Sequence, residues 1–174
     1  QGALSAFLIV FLVEDAALGI VGAGFVLAVA QAAGVGGRVL WGVVADRLGR
    51  PALVLGLLGV AMGAFGIAMA ATAPLLPIPA LVALAACFGG TAVAWNGVYL
   101  AEVARLAGPA QAGEMIGASG FFTFGGVALL PFAFTMIVLA AGSYALAYGV
   151  ISAPAILCGI WLLRGRAEAS KPLS

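Results

Sequence analysis

Six apolar runs, separated by short breaks rich in charge, proline or glycine, constrain the fold of this chain most. They cover about residues 2–13, 16–45, 52–73, 80–101, 114–139 and 143–163. Five of them exceed the roughly 20 helical residues that cross a bilayer core. The first is shorter, and we expect it to be the second part of a spanning helix whose start is missing. The pattern predicts an all-α polytopic membrane protein in which residues 1–163 form a six-helix bundle with a truncated first helix, followed by a basic tail over 164–174.

The scarcity of charge supports a membrane location. Charged residues make up 7% of the chain, against about 25% in an average soluble domain. So few charges cannot cover the surface of a soluble fold, so we expect the lipid bilayer to surround these runs. The chain holds seven Lys and Arg against six Asp and Glu, which gives no basic field for nucleic acid.

Several kinds of chemistry are excluded by the residues that the runs lack. There is no histidine, and the single lysine follows the last run, so an intramembrane serine would have no base. The two aspartates, Asp15 and Asp46, fall at opposite membrane faces by alternation, which excludes an aspartyl pair. Cys87 and Cys158 lie in apolar runs without other soft ligands nearby, and we interpret them as packing residues. We therefore expect no enzyme, no cofactor and no metal site.

The break between the second and third runs carries a motif. From Gly42 to Arg50 it reads Gly-x-x-x-Asp-Arg-x-Gly-Arg. Gly42 and Asp46 are four apart and would share one face of a helix. Gly49 can adopt the left-handed backbone conformation that a tight turn often needs. Arg47 and Arg50 mark the membrane side that keeps positive charge.

This motif resembles the signature loop of the major facilitator superfamily of secondary transporters. All five fixed positions match, although Pro51 stands where a further basic residue is usual. Transporters of that family have two six-helix halves related by pseudo-symmetry. The resemblance implies that this chain is the C-terminal half of a transporter working by alternating access, with the missing N-terminal half of the same polypeptide as its partner.

The resemblance also implies roles for the loop. Gly42 would pack against a helix of the other half, and Asp46 would face the N-terminus of that helix and hold the cytoplasmic side closed. Arg50 would pair with an acidic residue at the end of the fourth span. The implied gating residues are Gly42, Asp46, Arg47, Gly49, Arg50 and Glu102. The alternative is a hairpin that only fixes topology. Independently of the family, Glu102 and Arg105 are spaced to pair as i, i+3 neighbours.

A substrate cavity is the second implied feature. In the family, the first, second, fourth and fifth helices of a half line the cavity, while the third and sixth face lipid. Polar and aromatic side chains of this sequence follow that division, and the hypothesised cavity residues are Gln31, Arg38, Thr91, Trp95, Asn96, Tyr99, Ser119 and Thr123. The alternative for the aromatic residues is packing between helices. Arg38 either extends toward the membrane face of Arg47 or contacts an anionic substrate. We expect a small, neutral or anionic, partly apolar solute.

Loop charges predict the orientation. The breaks after the second, fourth and sixth runs contain Lys or Arg, whereas the opposite breaks contain neither. The positive-inside rule places the Arg47–Arg50 loop and the C-terminal tail in the cytoplasm, and we expect the bacterial inner (plasma) membrane. Two alternatives stay open, namely a free-standing six-helix protein that works as a homodimeric transporter, and a non-transporting membrane subunit.

Overall fold

A computed structural model describes residues 1–169, and every regular element of this range is helical. The helices are α1 (Gly2–Glu14), α2 (Ile20–Leu48), α3 (Pro51–Thr72), α4 (Ile78–Ala92), α5 (Trp95–Ala107), α6 (Ala112–Ala141) and α7 (Tyr144–Ala169). A short 3₁₀ turn, Ala73–Leu75, follows α3.

Five segments are long and apolar enough to cross a membrane. They are Ile20–Leu48, Pro51–Leu75, Ile78–Ala107, Ala112–Ala141 and Tyr144–Arg164. Helix α1 is apolar but has only 13 residues. The all-α, polytopic fold class is therefore confirmed. The protein is a multi-pass membrane protein.

The turn between α2 and α3 forms because of local backbone chemistry. Helix α2 continues to Leu48, so most of the motif is helical and only two residues connect it to α3. Gly49 takes the left-handed conformation, with φ 60°, and its N–H donates to the Asp46 carbonyl oxygen at 3.2 Å. Pro51 then occupies the first turn of α3, where its fixed φ suits a helix start. The left-handed conformation at Gly49 agrees with the sequence expectation.

Helices α3 and α7 form the most extensive interface of the described chain. A glycine stripe on α3 permits this approach, because a methyl group on Gly56 would lie 2.8 Å from the Leu163 side chain and one on Gly59 would lie 3.0 Å from the Gly159 backbone. Small residues at such a contact allow two helices to pack closely where lipid supplies no hydrophobic driving force between them.

An aromatic cluster joins α1, α6 and α7. The rings of Phe7 and Phe134 stack with centroids 4.1 Å apart, and Phe134 meets Tyr148 edge to face at 5.2 Å. Asp15, just after α1, accepts a hydrogen bond from the Ala145 N–H at 3.2 Å. The short first helix is thereby fixed to two longer ones.

The segment of α7 that can cross a membrane ends at Arg164, close to the expected end of the sixth span, and the helix itself continues to Ala169; residues 170–174 lie outside the described residues. One sequence expectation differs from the structure outside the site. Cys87 and Cys158 are exposed at the surface of the chain and are not packed inside it. An apolar run does not reveal which of its faces meets another helix, so burial of these thiols could not follow from their position in the run.

Candidate functional site

The fourth span is broken near its middle, between α4 and α5. The sequence predicts one continuous helix over 80–101, whereas Val93 and Ala94 form a turn. A break at membrane depth leaves carbonyl groups without their usual intrahelical donors. Two side chains of α2 supply donors. Trp41 Nε1 donates to the Gly90 carbonyl oxygen at 2.9 Å, and Arg38 Nε donates to the Val93 carbonyl oxygen at 3.3 Å.

Close packing of α2 against α4 makes these two hydrogen bonds possible. A methyl group on Gly37 would lie 2.6 Å from the Gly90 carbonyl oxygen, and one on Gly34 would lie 2.6 Å from Cβ of Val93. Glycine at both positions therefore allows the backbones to approach closely enough for Trp41 to reach the broken turn.

A cavity of about 390 Å³ opens beside the break, and we call it the Arg38 cavity. Its polar lining comes from Arg38 of α2, Asn96 and Tyr99 of α5, Thr123 of α6, and Gln1 before α1. Four of these residues belong to the second, fourth and fifth spans, and Gln1 precedes the first. The third and sixth spans, α3 and α7, contribute none of the described lining residues.

The rest of the lining is apolar or small. It consists of Gly97, Leu100, Gly120, Phe124 and Val127. None of the described side chains that line the Arg38 cavity is acidic, and Arg38 provides the cationic one. The cavity therefore combines one cationic side chain with neutral hydrogen-bonding side chains and an apolar wall.

The Arg38 side chain has donors left after it supports the broken helix. Its hydrogen bond to Val93 uses Nε, and a guanidinium carries four further N–H donors on its two terminal nitrogens. Within the described part of the chain those nitrogens form no hydrogen bond or ion pair. A planar pair of N–H groups fits the two oxygens of a carboxylate. The geometry therefore suits an anionic group better than a cationic one.

The neutral polar side chains of the cavity use only some of their hydrogen-bonding groups within the chain. Asn96 Nδ2 donates to Gln1 Oε1 at 2.8 Å, and the Thr123 hydroxyl donates to the Ser119 carbonyl oxygen at 3.0 Å within α6. The Asn96 carbonyl oxygen and the Thr123 oxygen remain able to accept hydrogen bonds. Gln1 was not anticipated from the sequence, since nothing in its neighbours indicates contact with a residue 95 positions away.

Four of the hypothesised cavity residues lie elsewhere. Gln31 donates to the Ser5 hydroxyl at 3.0 Å and joins α1 to α2. Thr91 is buried and donates to carbonyl oxygens of its own helix. The Ser119 hydroxyl donates to the Ile116 carbonyl oxygen one turn back. Trp95 stacks obliquely on Tyr99, with centroids 5.4 Å apart, but lines a different cavity.

The motif residues of α2 lie at the surface of the chain. A methyl group on Gly42 would meet no atom of the chain within 4 Å. Asp46, Arg47 and Arg50 are exposed and form no ion pair among the described side chains. The face that carries Gly42 and Asp46 is thus open along the end of α2.

The implied pairing of Arg50 with Glu102 does not occur in this structure. Glu102 instead pairs with Arg105 on the same helix, through Nε at 2.6 Å and a terminal nitrogen at 2.8 Å. The reason is proximity, since residues three apart on a helix are neighbours, whereas Arg50 lies on another element. The local pairing of Glu102 with Arg105 agrees with the spacing in the sequence.

Comparison with known proteins gives no family. No family model, no curated protein and no solved structure matches this chain. The function of the chain must therefore be inferred from the site itself.

Proposed function

We propose that this chain is part of a secondary transporter that carries a small organic anion across the membrane by alternating access. The observation that supports this proposal best is the Arg38 cavity, a partly polar space among membrane spans with a single cationic side chain. Charged side chains at membrane depth are costly and usually serve substrate or ion pathways. A transporter needs such a space, whereas a non-transporting subunit does not.

The resemblance to the major facilitator superfamily fits the same proposal. The cavity is lined by the second, fourth and fifth spans and by Gln1, just ahead of the first, and the third and sixth spans contribute none of its described lining residues, which agrees with the division that the resemblance implies. The open face of Gly42 and Asp46 is available for a helix of the other half. In this proposal the chain is the C-terminal half, Gly42 to Arg50 forms a cytoplasmic gating segment, and the protein resides in a bacterial inner membrane.

The solute site does not identify the ion that drives transport. A proton relay inside a membrane normally uses a carboxylate or histidine at depth. The described part of this half has no acidic residue in the Arg38 cavity, and the chain has no histidine. We therefore infer that the coupling group belongs to the other half, or that the protein transports its solute without a coupled proton.

Uptake of three similar solutes into proteoliposomes tests the anion site. Benzoate, benzamide and benzylamine have nearly the same shape and carry negative, zero and positive charge. The full-length protein is expected to favour benzoate. Arg38→Gln removes a charged hydrogen bond worth about 2 kcal/mol, which corresponds to roughly 30-fold in affinity, and Arg38→Lys keeps part of it.

A matched control uses Gln31, which lies on the same helix but outside the cavity. Gln31→Ala should leave the order of the three solutes unchanged. Uptake of benzoate that is equal in the wild type and in Arg38→Gln would refute the anion site. The coding frame before Gln1 tests separately whether an N-terminal half exists. About six further spans with a second signature loop in that frame support a two-half transporter.

A further inference from the structure

A second cavity lies behind the wall of the Arg38 cavity. It also measures about 390 Å³ and lies between α3, α5 and α7. Its lining includes Met62 of α3, Pro154 of α7 and Trp95 of α5, and none of its described lining residues is charged. We call it the apolar cavity. Unlike the Arg38 cavity, it has no cationic side chain among its described lining residues.

Helix α5 separates the two cavities, and its residues divide between them. Asn96 and Leu100, four residues apart, face the Arg38 cavity. Trp95 faces the apolar cavity. Consecutive residues of a helix are about 100° apart, so neighbouring positions present side chains to different sides. The position of a residue around the axis of α5 therefore decides which of the two cavities its side chain lines.

Tyr99 is the exception, because it lines both cavities. It lies four residues after Trp95, and the two rings are tilted by 55° with centroids 5.4 Å apart. Tyr99 is half-buried. Tyr99 is therefore the described side chain that the two cavities share.

We propose that Tyr99 determines the length of the apolar portion that a bound organic anion can have. This inference rests on the proposed function, since it assumes that an anionic group binds beside Arg38. The Tyr99 ring blocks the passage from the Arg38 cavity into the apolar cavity. A short anion fits in front of the ring, and the tail of a longer one meets it.

The size of the effect follows from burial of apolar surface. Each methylene removed from water strengthens binding about fourfold. In the wild type, lengthening the tail brings no such gain once the tail reaches the ring. With Tyr99 reduced to alanine, the tail enters the apolar cavity and the gain resumes. The variant should therefore shift preference toward longer anions without improving binding of short ones.

The experiment is calorimetric titration of the full-length protein in lipid nanodiscs with phenylacetate, phenylbutyrate and phenyloctanoate. Tyr99→Ala should bind phenyloctanoate on the order of tenfold more tightly than the wild type and phenylacetate within about twofold of it. Tyr99→Leu should give a smaller shift in the same direction, which keeps the test available if the alanine variant does not fold.

Two matched variants test whether the Tyr99 ring itself forms the wall between the cavities. Met62→Ala enlarges the apolar cavity from the α3 side and keeps the ring contact between Trp95 and Tyr99, so it should keep the wild-type preference for length. Tyr99→Phe keeps the ring and should do the same, because the ring and not the hydroxyl blocks the passage. A shift in Met62→Ala as large as in Tyr99→Ala would overturn the assignment to Tyr99.

The outcomes also distinguish this inference from the proposed function. If the wild type binds phenylacetate through Arg38 and Tyr99→Ala and Tyr99→Leu show the wild-type length profile, the length limit is wrong and the anion site stands. If the wild type binds none of the three anions, the anion site is refuted, and the length limit is refuted with it.

Discussion

The contact between α2 and α4 makes a quantitative prediction at Gly89. A methyl group there would lie 2.7 Å from Cα of Ala30 and closer still to the Ala30 carbonyl oxygen. Carbon atoms in favourable contact are about 3.5–4.0 Å apart. Because both partners are backbone, no side-chain rotation relieves the clash, and α2 and α4 must separate by about 1 Å.

The cost of Gly89→Ala has three parts. Overpacking in a well-packed interior costs about 1–3 kcal/mol. A separation of that size also stretches the 2.9 Å hydrogen bond from Trp41 to Gly90, with a loss of about 1 kcal/mol. Alanine recovers about 1 kcal/mol over glycine in a helix. Since the clash is between backbones, we expect net destabilisation near the upper end, about 2–3 kcal/mol.

The adjacent glycine supplies the control. A methyl group on Gly90 would have its nearest neighbour, the Ala33 carbonyl oxygen, at 3.7 Å, which is an ordinary contact. Gly90→Ala should therefore be neutral or stabilising by up to about 1 kcal/mol. Reversible unfolding in mixed micelles, followed by circular dichroism, measures both variants. Equal stabilities for the two, or a more stable Gly89→Ala, would refute the close approach of α2 and α4.

Three other substitutions test separate contacts. Trp41→Phe removes the donor to Gly90 and should lower the free energy of unfolding by about 1 kcal/mol in the same assay; no change would mean that the broken helix does not depend on this bond. Phe134→Ala should cost about 3 kcal/mol through lost packing, because this ring is fully buried. Phe121→Ala, at a ring that is 77% exposed, should cost little, and similar losses for the two variants would contradict the aromatic cluster. Asp46→Asn should slow uptake at equal expression while Asp46→Glu retains more of it, and unchanged uptake in Asp46→Asn would rule out the gating role.

Local features of the structure could be read from the sequence. The long apolar runs predicted the spans, because the length of an uncharged run decides whether a helix can cross a bilayer. The turn at Gly49 could also be predicted, since its geometry depends on the freedom of glycine to adopt a left-handed backbone conformation. The pairing of Glu102 with Arg105 followed from helix spacing alone.

The candidate site was predicted in part. Arg38, Asn96, Tyr99 and Thr123 lie together around one cavity, and polarity at membrane depth was the signal that pointed to them. The same signal also pointed to Thr91, although its hydroxyl is satisfied within its own helix. Polarity shows that a side chain avoids lipid, but it does not show whether the partner is a cavity, another helix or the same helix.

Only the tertiary structure decided where the fourth span breaks and what stabilises the break. The donors come from Arg38 and Trp41, 55 and 49 residues away from their acceptors, so no window of the sequence contains both members of either bond. The rotation of α5, which places Tyr99 against both cavities, is likewise set by packing against α2, α3 and α6. The sequence by itself determined that this chain enters a membrane as helices, because the length of an apolar run is a local property and decides whether a helix can cross a bilayer. How those helices face one another depends on contacts between distant residues.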